Sequence, residues 1–146
     1  MGVLIFSIEL EGVGIDLSSV DTPSYFLSLA QDHIAKWNST YKGAQLFKGD
    51  VKFVLGGSGH IAGVVNPPSA DKYGYWTNPK LDESSDSWFK DAQRHEGSWW
   101  SDWQSWVSDK TLGEIPARKI GGGDLKPIEP APGRYVNSRI VDVINS

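Results

Sequence analysis

The 146-residue sequence contains no cysteine, and its only histidines are His33, His60 and His95. Without cysteine these residues form no disulfide, ligate no zinc or iron–sulfur centre through sulfur, and supply no thiolate nucleophile. Three histidines are a thin supply for any metal centre. His95-Glu96 opens a zincin-like H-E-x-x-H pattern, but the second His falls at position 99, which is Trp99. Positive charge is short as well, with 14 Lys and Arg against 18 Asp and Glu and a net charge of -4. No basic field exists to collect phosphates, which speaks against DNA or RNA as a partner. Long apolar runs are missing too. The opening Met1-Gly2-Val3-Leu4-Ile5-Phe6 has the apolar length of a signal core, yet it lacks a basic flank and meets Glu9 and Glu11 at once. It does not read as a secretion signal, and Phe6 stands where N-myristoylation needs Ser or Thr. No stretch is long and apolar enough for a membrane span, so the expected location is cytoplasmic.

What is present is a chain with 39% hydrophobic and 22% charged residues, the balance of one soluble globular domain or part of one. Residues 1–20 read as an extended lead-in broken at Gly12 and Gly14, followed by turn chemistry at Asp21-Thr22-Pro23. Ser24 to Leu29 is a short apolar run of the kind found in a buried strand. A helix-like stretch from an Asn38 N-cap to about Phe47 follows, and then a second strand from Val51 to Leu55. Two strands joined by a helix within about 30 residues predict a βαβ unit with parallel strands and a right-handed crossover. Residues 64–80, with Asn66-Pro67-Pro68, read as irregular chain. Helices are predicted over Ser84 to Arg94, capped by Ser84 or Ser85, and over Ser98 to Val107. From Gly113 the chain is Pro- and Gly-rich and reads as an extended tail. Two core strands are few for a sheet that normally has about four to six, so the pattern looks like the end of a larger α/β domain.

In a parallel unit the functional loops lie at the carboxyl ends of the strands. Asp32 follows the first strand, and His60, at the end of Gly56-Gly57-Ser58-Gly59-His60, follows the second, 28 positions later. This is the order of the last two members of a nucleophile–acid–His site, in which the imidazole takes a proton from a weak nucleophile and the carboxylate fixes its tautomer. The competing view is that Asp32 merely ends a strand and His60 is an ordinary loop residue. Gly57-Ser58-Gly59-His60-Ile61-Ala62 also satisfies G-x-G-x-x-A. Gly63 and Pro67-Pro68 leave barely a turn of helix to hold a pyrophosphate, so a dinucleotide site is disfavoured. Ser58 is no nucleophile elbow, because His60 stands where G-x-S-x-G needs its last Gly. Six of the seven tryptophans lie between Trp76 and Trp106, with Trp99, Trp103 and Trp106 at i, i+4 and i+7. They form either an apolar stripe that seats a helix or a surface for a hydrophobic ligand, polymer or subunit.

The blocks Ile15-Asp16-Leu17-Ser18-Ser19-Val20-Asp21-Thr22-Pro23, Gln31-Asp32-His33-Ile34 with Trp37, Phe53 to Pro68, His95 to Trp103, and Ala131 to Val136 closely resemble the C-terminal part of class I polyhydroxyalkanoate synthases. The resemblance covers roughly residues 14–136. It implies the C-terminal portion of an α/β-hydrolase fold over residues 1–136, with 137–146 as a C-terminal tail. The implied activity is polymerisation of (R)-3-hydroxyacyl groups, typically 3-hydroxybutyryl, from coenzyme A thioesters with release of CoA. No cofactor is implied, since the CoA thioester is the substrate. By motif Asp32 and His60 match the family's catalytic Asp and His, and His33 is a candidate substrate-binding residue. The His would deprotonate a Cys for attack on the thioester, and the Asp would orient the His or help activate the 3-hydroxyl of the incoming unit. Implied partners are the polyester granule and a second synthase subunit in a dimer.

Departures accompany the match. The family's Cys lies upstream of the Asp and has no counterpart among these residues. Ala35-Lys36 replaces an apolar residue and Pro, Ser101 stands where Pro is common, and residues 1–13 match poorly. The expectation is therefore a truncated synthase or gene remnant that retains Asp32 and His60 and is inactive alone. The rival is a non-catalytic, Trp-rich module that binds polymer granules or a synthase subunit. A third reading is a hydrolase whose nucleophile comes from another chain.

Overall fold

A computed structural model describes residues 8–81 and 84–144. Residues 1–7 of the predicted lead-in and residues 145–146 of the tail lie outside the described residues. The chain divides into two units, Met1–Lys110 and Thr111–Ser146. The first begins with an antiparallel hairpin of β1 (Ile8–Leu10) and β2 (Val13–Ile15), where the sequence reading expects only extended chain. Its two-residue turn, Glu11-Gly12, has positive φ at both positions, the backbone that matches the twist of a tight hairpin.

The expected βαβ unit follows. Strand β3 spans Ser24–Leu29, helix α1 spans Trp37–Ala44, and β4 (Val51–Gly56) runs parallel to β3 with Ser24 opposite Val51 and Leu29 opposite Gly56. Helix α1 starts one residue before the predicted Asn38 cap, with Lys36 at the N-cap position and no side-chain cap. Packing decides this boundary, because the Trp37 ring lies against Tyr41, Trp88 and Phe89. The helix stops short of Phe47 because the Leu46 and Phe47 amides bond three residues back, to Gly43 and Ala44, and the last turn tightens.

Beyond β4 the structure departs from the sequence reading. A four-residue helix α2 (Ala62–Val65) precedes β5 (Tyr75–Thr77), which lies in the segment expected to be irregular. Helix α3 (Ser85–Lys90) is capped by the Ser84 hydroxyl but ends early, and β6 (Gln93–His95) occupies the end of the predicted 84–94 helix. Strands β5 and β6 add antiparallel to β4, which gives a four-stranded mixed sheet in the order β3-β4-β5-β6. The two-strand inventory is thereby corrected. Helix α4 runs over Trp100–Ser108, two residues later than expected at its start. The second unit has no strand among its described residues. It holds a 3-10 turn at Tyr135–Asn137 and the short helix α5 (Ile140–Ile144).

Strand alternation sorts the side chains onto two faces. Phe26, Val51, Phe53, Leu55 and Trp76 meet Tyr41 and Ala44 of α1 and Trp88 of α3, and Tyr41, Ala44 and Trp88 are fully buried. Phe53 stands edge-on to both Tyr41 and Trp88, each with ring centroids 5.1 Å apart. Such edge-to-face pairs each contribute about 0.5–1.5 kcal/mol beyond their buried area. On the opposite face, Asp102 of α4 accepts a hydrogen bond from the Tyr25 hydroxyl at 2.9 Å and pairs with Lys52 Nζ at 2.7 Å. Burial, followed by the charge of Asp102, holds the Tyr25 phenol well above its ordinary range. Trp99 and Trp106 pack their rings on Tyr25, so part of the tryptophan stripe does seat α4. The sheet is thus covered on both faces, as a parallel pair of strands requires.

Candidate active site

The loops after β3 and β4 are joined by their own backbone. Past the last strand pair, the Ala30 amide donates to Gly56 O at 2.8 Å and the Gln31 amide to Ser58 O at 3.0 Å. These bonds extend the ladder into the turns. Ser58 adopts a positive φ of 69°, which folds the Gly-rich loop back and presents His60 beside Asp32. Its role is to shape the turn.

Asp32 is fixed from two sides. Its Oδ1 accepts the amides of Ile34 at 2.8 Å and Ala35 at 3.0 Å, and its Oδ2 lies 2.7 Å from His60 Nδ1. The Asp32 side chain is only 5% exposed, while that of His60 is 46% exposed. The hydrogen bond from His60, followed by those from the Ala35 and Ile34 amides, lowers the Asp32 carboxyl to about 2 against a partial opposition from desolvation. An ionised carboxylate only accepts, so the proton of the neutral imidazole sits on Nδ1 and the lone pair on Nε2. The arrangement is an imidazole base with a carboxylate that holds its tautomer and would stabilise the imidazolium.

The structure therefore brings together Asp32 and His60, the two residues selected from the sequence. It does not tie in His33, which is exposed on the Asp32 loop and makes no hydrogen bond to either partner among the described residues. His95 lies elsewhere, on β6, with Nε2 2.8 Å from Thr77 Oγ1 and its ring stacked on Tyr75. Sequence reasoning missed the Tyr25–Lys52–Asp102 cluster. Its strand half was readable, since Tyr25 and Lys52 are register partners on one face. No helix among the described residues is long and apolar enough to cross a membrane.

Fold and site together define a mixed α/β protein with an Asp–His acid–base pair at the carboxyl edge of two parallel strands. The chain is 47% identical over 130 residues to the poly(3-hydroxyalkanoate) polymerase subunit PhaC of Rhizobium meliloti, covering 89% of this chain and 21% of that protein. It is 43% identical over 129 residues to the subunit of the same name from Cupriavidus necator, covering 88% of this chain and 22% of that one. It is 40% identical over 133 residues to poly(3-hydroxyalkanoate) polymerase 2 of Ectopseudomonas oleovorans, covering 90% and 24%. No family model matches. The chain is a homologue of the C-terminal part of poly(3-hydroxyalkanoate) polymerases, and it spans about a fifth to a quarter of their length.

Proposed function

We propose that these 146 residues carry the acid–base half of a thioester acyl-transfer site that builds polyester from (R)-3-hydroxyacyl-CoA, 3-hydroxybutyryl-CoA foremost. The observation that carries the reading is the 2.7 Å contact between His60 Nδ1 and Asp32 Oδ2 at the carboxyl ends of adjacent parallel strands. Its support from outside is the similarity to the C-terminal part of the polymerases.

In this reading His60 Nε2 takes the proton of a cysteine thiol held outside these residues, and the thiolate attacks the thioester carbonyl. The imidazolium, stabilised by Asp32, returns its proton to the departing CoA thiolate. No cofactor enters this step. The fold would be the end of an α/β-hydrolase domain, and the setting a cytoplasmic polyester granule. With no cysteine in the sequence, the chain alone lacks the attacking group. Incubated by itself with 3-hydroxybutyryl-CoA, it releases no free CoA above background in a thiol-detection assay. Co-expressed with a polymerase that keeps its Cys but lacks the matched portion, it restores release, and His60→Ala abolishes that gain. Robust release from the chain alone, or rescue that survives His60→Ala, would overturn the proposal.

Trp100 is the one exposed tryptophan, so the binding-module alternative has that ring to rest on and little else of the stripe. Trp88 is fully buried in the core, and the Trp99 and Trp106 rings are engaged against Tyr25.

A further inference from the structure

Helix α2 begins two residues after His60 and has only four residues, too short to satisfy its own terminal carbonyls. It also has no side-chain N-cap, and its last residues run into Pro67-Pro68. Its carboxyl end is nonetheless held by side chains from elsewhere in the chain. The Trp99 indole N–H donates to Gly63 O at 3.1 Å, and the Trp100 indole N–H donates to Val64 O at 3.2 Å. The Ser98 hydroxyl donates to Asn66 O at 2.6 Å, and Ser98 and Asn66 are both buried. Three consecutive side chains at the start of α4 thus grip two carbonyls of α2 and that of its C-cap residue Asn66, 32 to 36 positions upstream. At the other end of α2 the Gly63 amide donates to Gly59 O at 2.9 Å, which ties the helix directly to the loop that carries His60.

We infer that Ser98, Trp99 and Trp100 form a clamp that positions His60 against Asp32 by fixing helix α2. None of the three hydrogen-bonds to Asp32 or His60 among the described residues, so they are positioning residues. Their importance for catalysis rests on the function proposed above, whereas their effect on the geometry of the pair does not. The indole N–H groups add to the close seat of Gly63 on Leu29 and to the bond from Asn66 Nδ2 to Lys72 O, and they alone join α2 to the segment that begins α4 through two side-chain donors. Trp106 supplies the contrast. Its ring packs on Tyr25 but its buried Nε1 has no hydrogen-bond partner among the described residues, so replacing it removes packing without removing a hydrogen bond seen there.

The test compares Trp99→Phe/Trp100→Phe with Trp106→Phe in the full chain. Two readouts are followed by NMR on 15N-labelled protein, the downfield proton of His60 Nδ1 and its exchange rate with solvent. Loss of two neutral hydrogen bonds should speed that exchange about thirtyfold in the double variant. Trp106→Phe should leave it within about twofold, even if its global stability falls as far. If the double variant does not fold, benzothienylalanine at both positions keeps the ring shape and removes only the N–H donors. An unchanged Nδ1 proton in the folded double variant or its benzothienyl equivalent overturns the inference, as does an equal change in Trp106→Phe. Because these signals are read without substrate, a clamp that holds while the rescue assay fails would refute the proposed function alone. Rescue that succeeds with an unclamped histidine would refute only the clamp.

Discussion

The same substitution, Gly to Ala, should have opposite signs at two positions in this chain. Gly63 lies in α2, and a Cβ built there falls 2.3 Å from Leu29 Cδ1 and 2.4 Å from Gly57 O, where contacts under 3.0 Å are essentially never found. Leu29 is itself buried, and Gly57 O belongs to the backbone of the His60 loop, so neither neighbour yields cheaply. Overpacking of this kind costs about 1–3 kcal/mol. Gly43 lies in α1 with nothing within 4 Å of the added Cβ and no positive φ. There Ala relieves the entropy cost of a helical glycine and should stabilise by about 0.5–1 kcal/mol. Urea unfolding followed by Trp fluorescence measures both variants against the parent chain. Gly63→Ala carries a second consequence, because the displaced helix pulls on the loop that bears His60. On the proposed function, a shift of about 1 Å at His60 would cost about a hundredfold in the rate of the rescue assay. A neutral Gly63→Ala, or a Gly43→Ala that destabilises as much as Gly63→Ala, would refute the steric account of how α2 seats on β3.

Further outcomes follow from the ion pairs. A carboxyl-detected NMR titration should place Asp32 near pH 2, and His60→Ala should raise it while leaving it below the ordinary value of about 3.9, since the Ile34 and Ala35 amides remain. A depressed folded pKa contributes stability that is complete above about pH 4 and lost as the pH falls through about 2. Asp32→Asn should therefore flatten the acid side of the stability curve between those values in urea unfolding, and an unchanged slope would count against the pair. On the other face, Tyr25→Phe should cost about 2 kcal/mol, the loss of a hydrogen bond to a charged acceptor, and much less in an Asp102→Ala background. Equal costs in the two backgrounds would mean that the contribution of the Tyr25 hydroxyl does not run through Asp102.

The site was more legible than the sheet that carries it. Strands β3 and β4 each offer six residues dominated by apolar side chains, and their positions in a βαβ unit fix which loops face one another. That rule brings the loops of Asp32 and His60 to one edge of the sheet, and the family motif is what selects these two residues within them. Strands β5 and β6 have three residues each, too few to display an alternation, and they exist because β4 has a second edge to be paired. Helix α3 was overextended for a related reason. Trp88 and Ala92 keep a helical spacing, but the chain must leave the helix at Asp91 to bring Gln93 opposite Thr77. The Asp102 cluster joins residues 77 and 50 positions apart, beyond any local pattern.

This asymmetry has a physical origin that bears on the proposed function. The hydrogen bonds made on Asp32 and between the two loops are local, through the Ala30, Gln31, Ile34 and Ala35 amides and the Gly56 and Ser58 carbonyls, and the inferred clamp reaches them only by way of α2. A pair built from such local bonds needs no nucleophile to assemble, because the carboxylate is already stabilised by amides and imidazole. In a site divided between segments, the acid–base half is therefore the part able to keep its geometry without the other. On the proposed function, His60 Nε2 would then accept a proton from a thiol brought within about 3 Å of it.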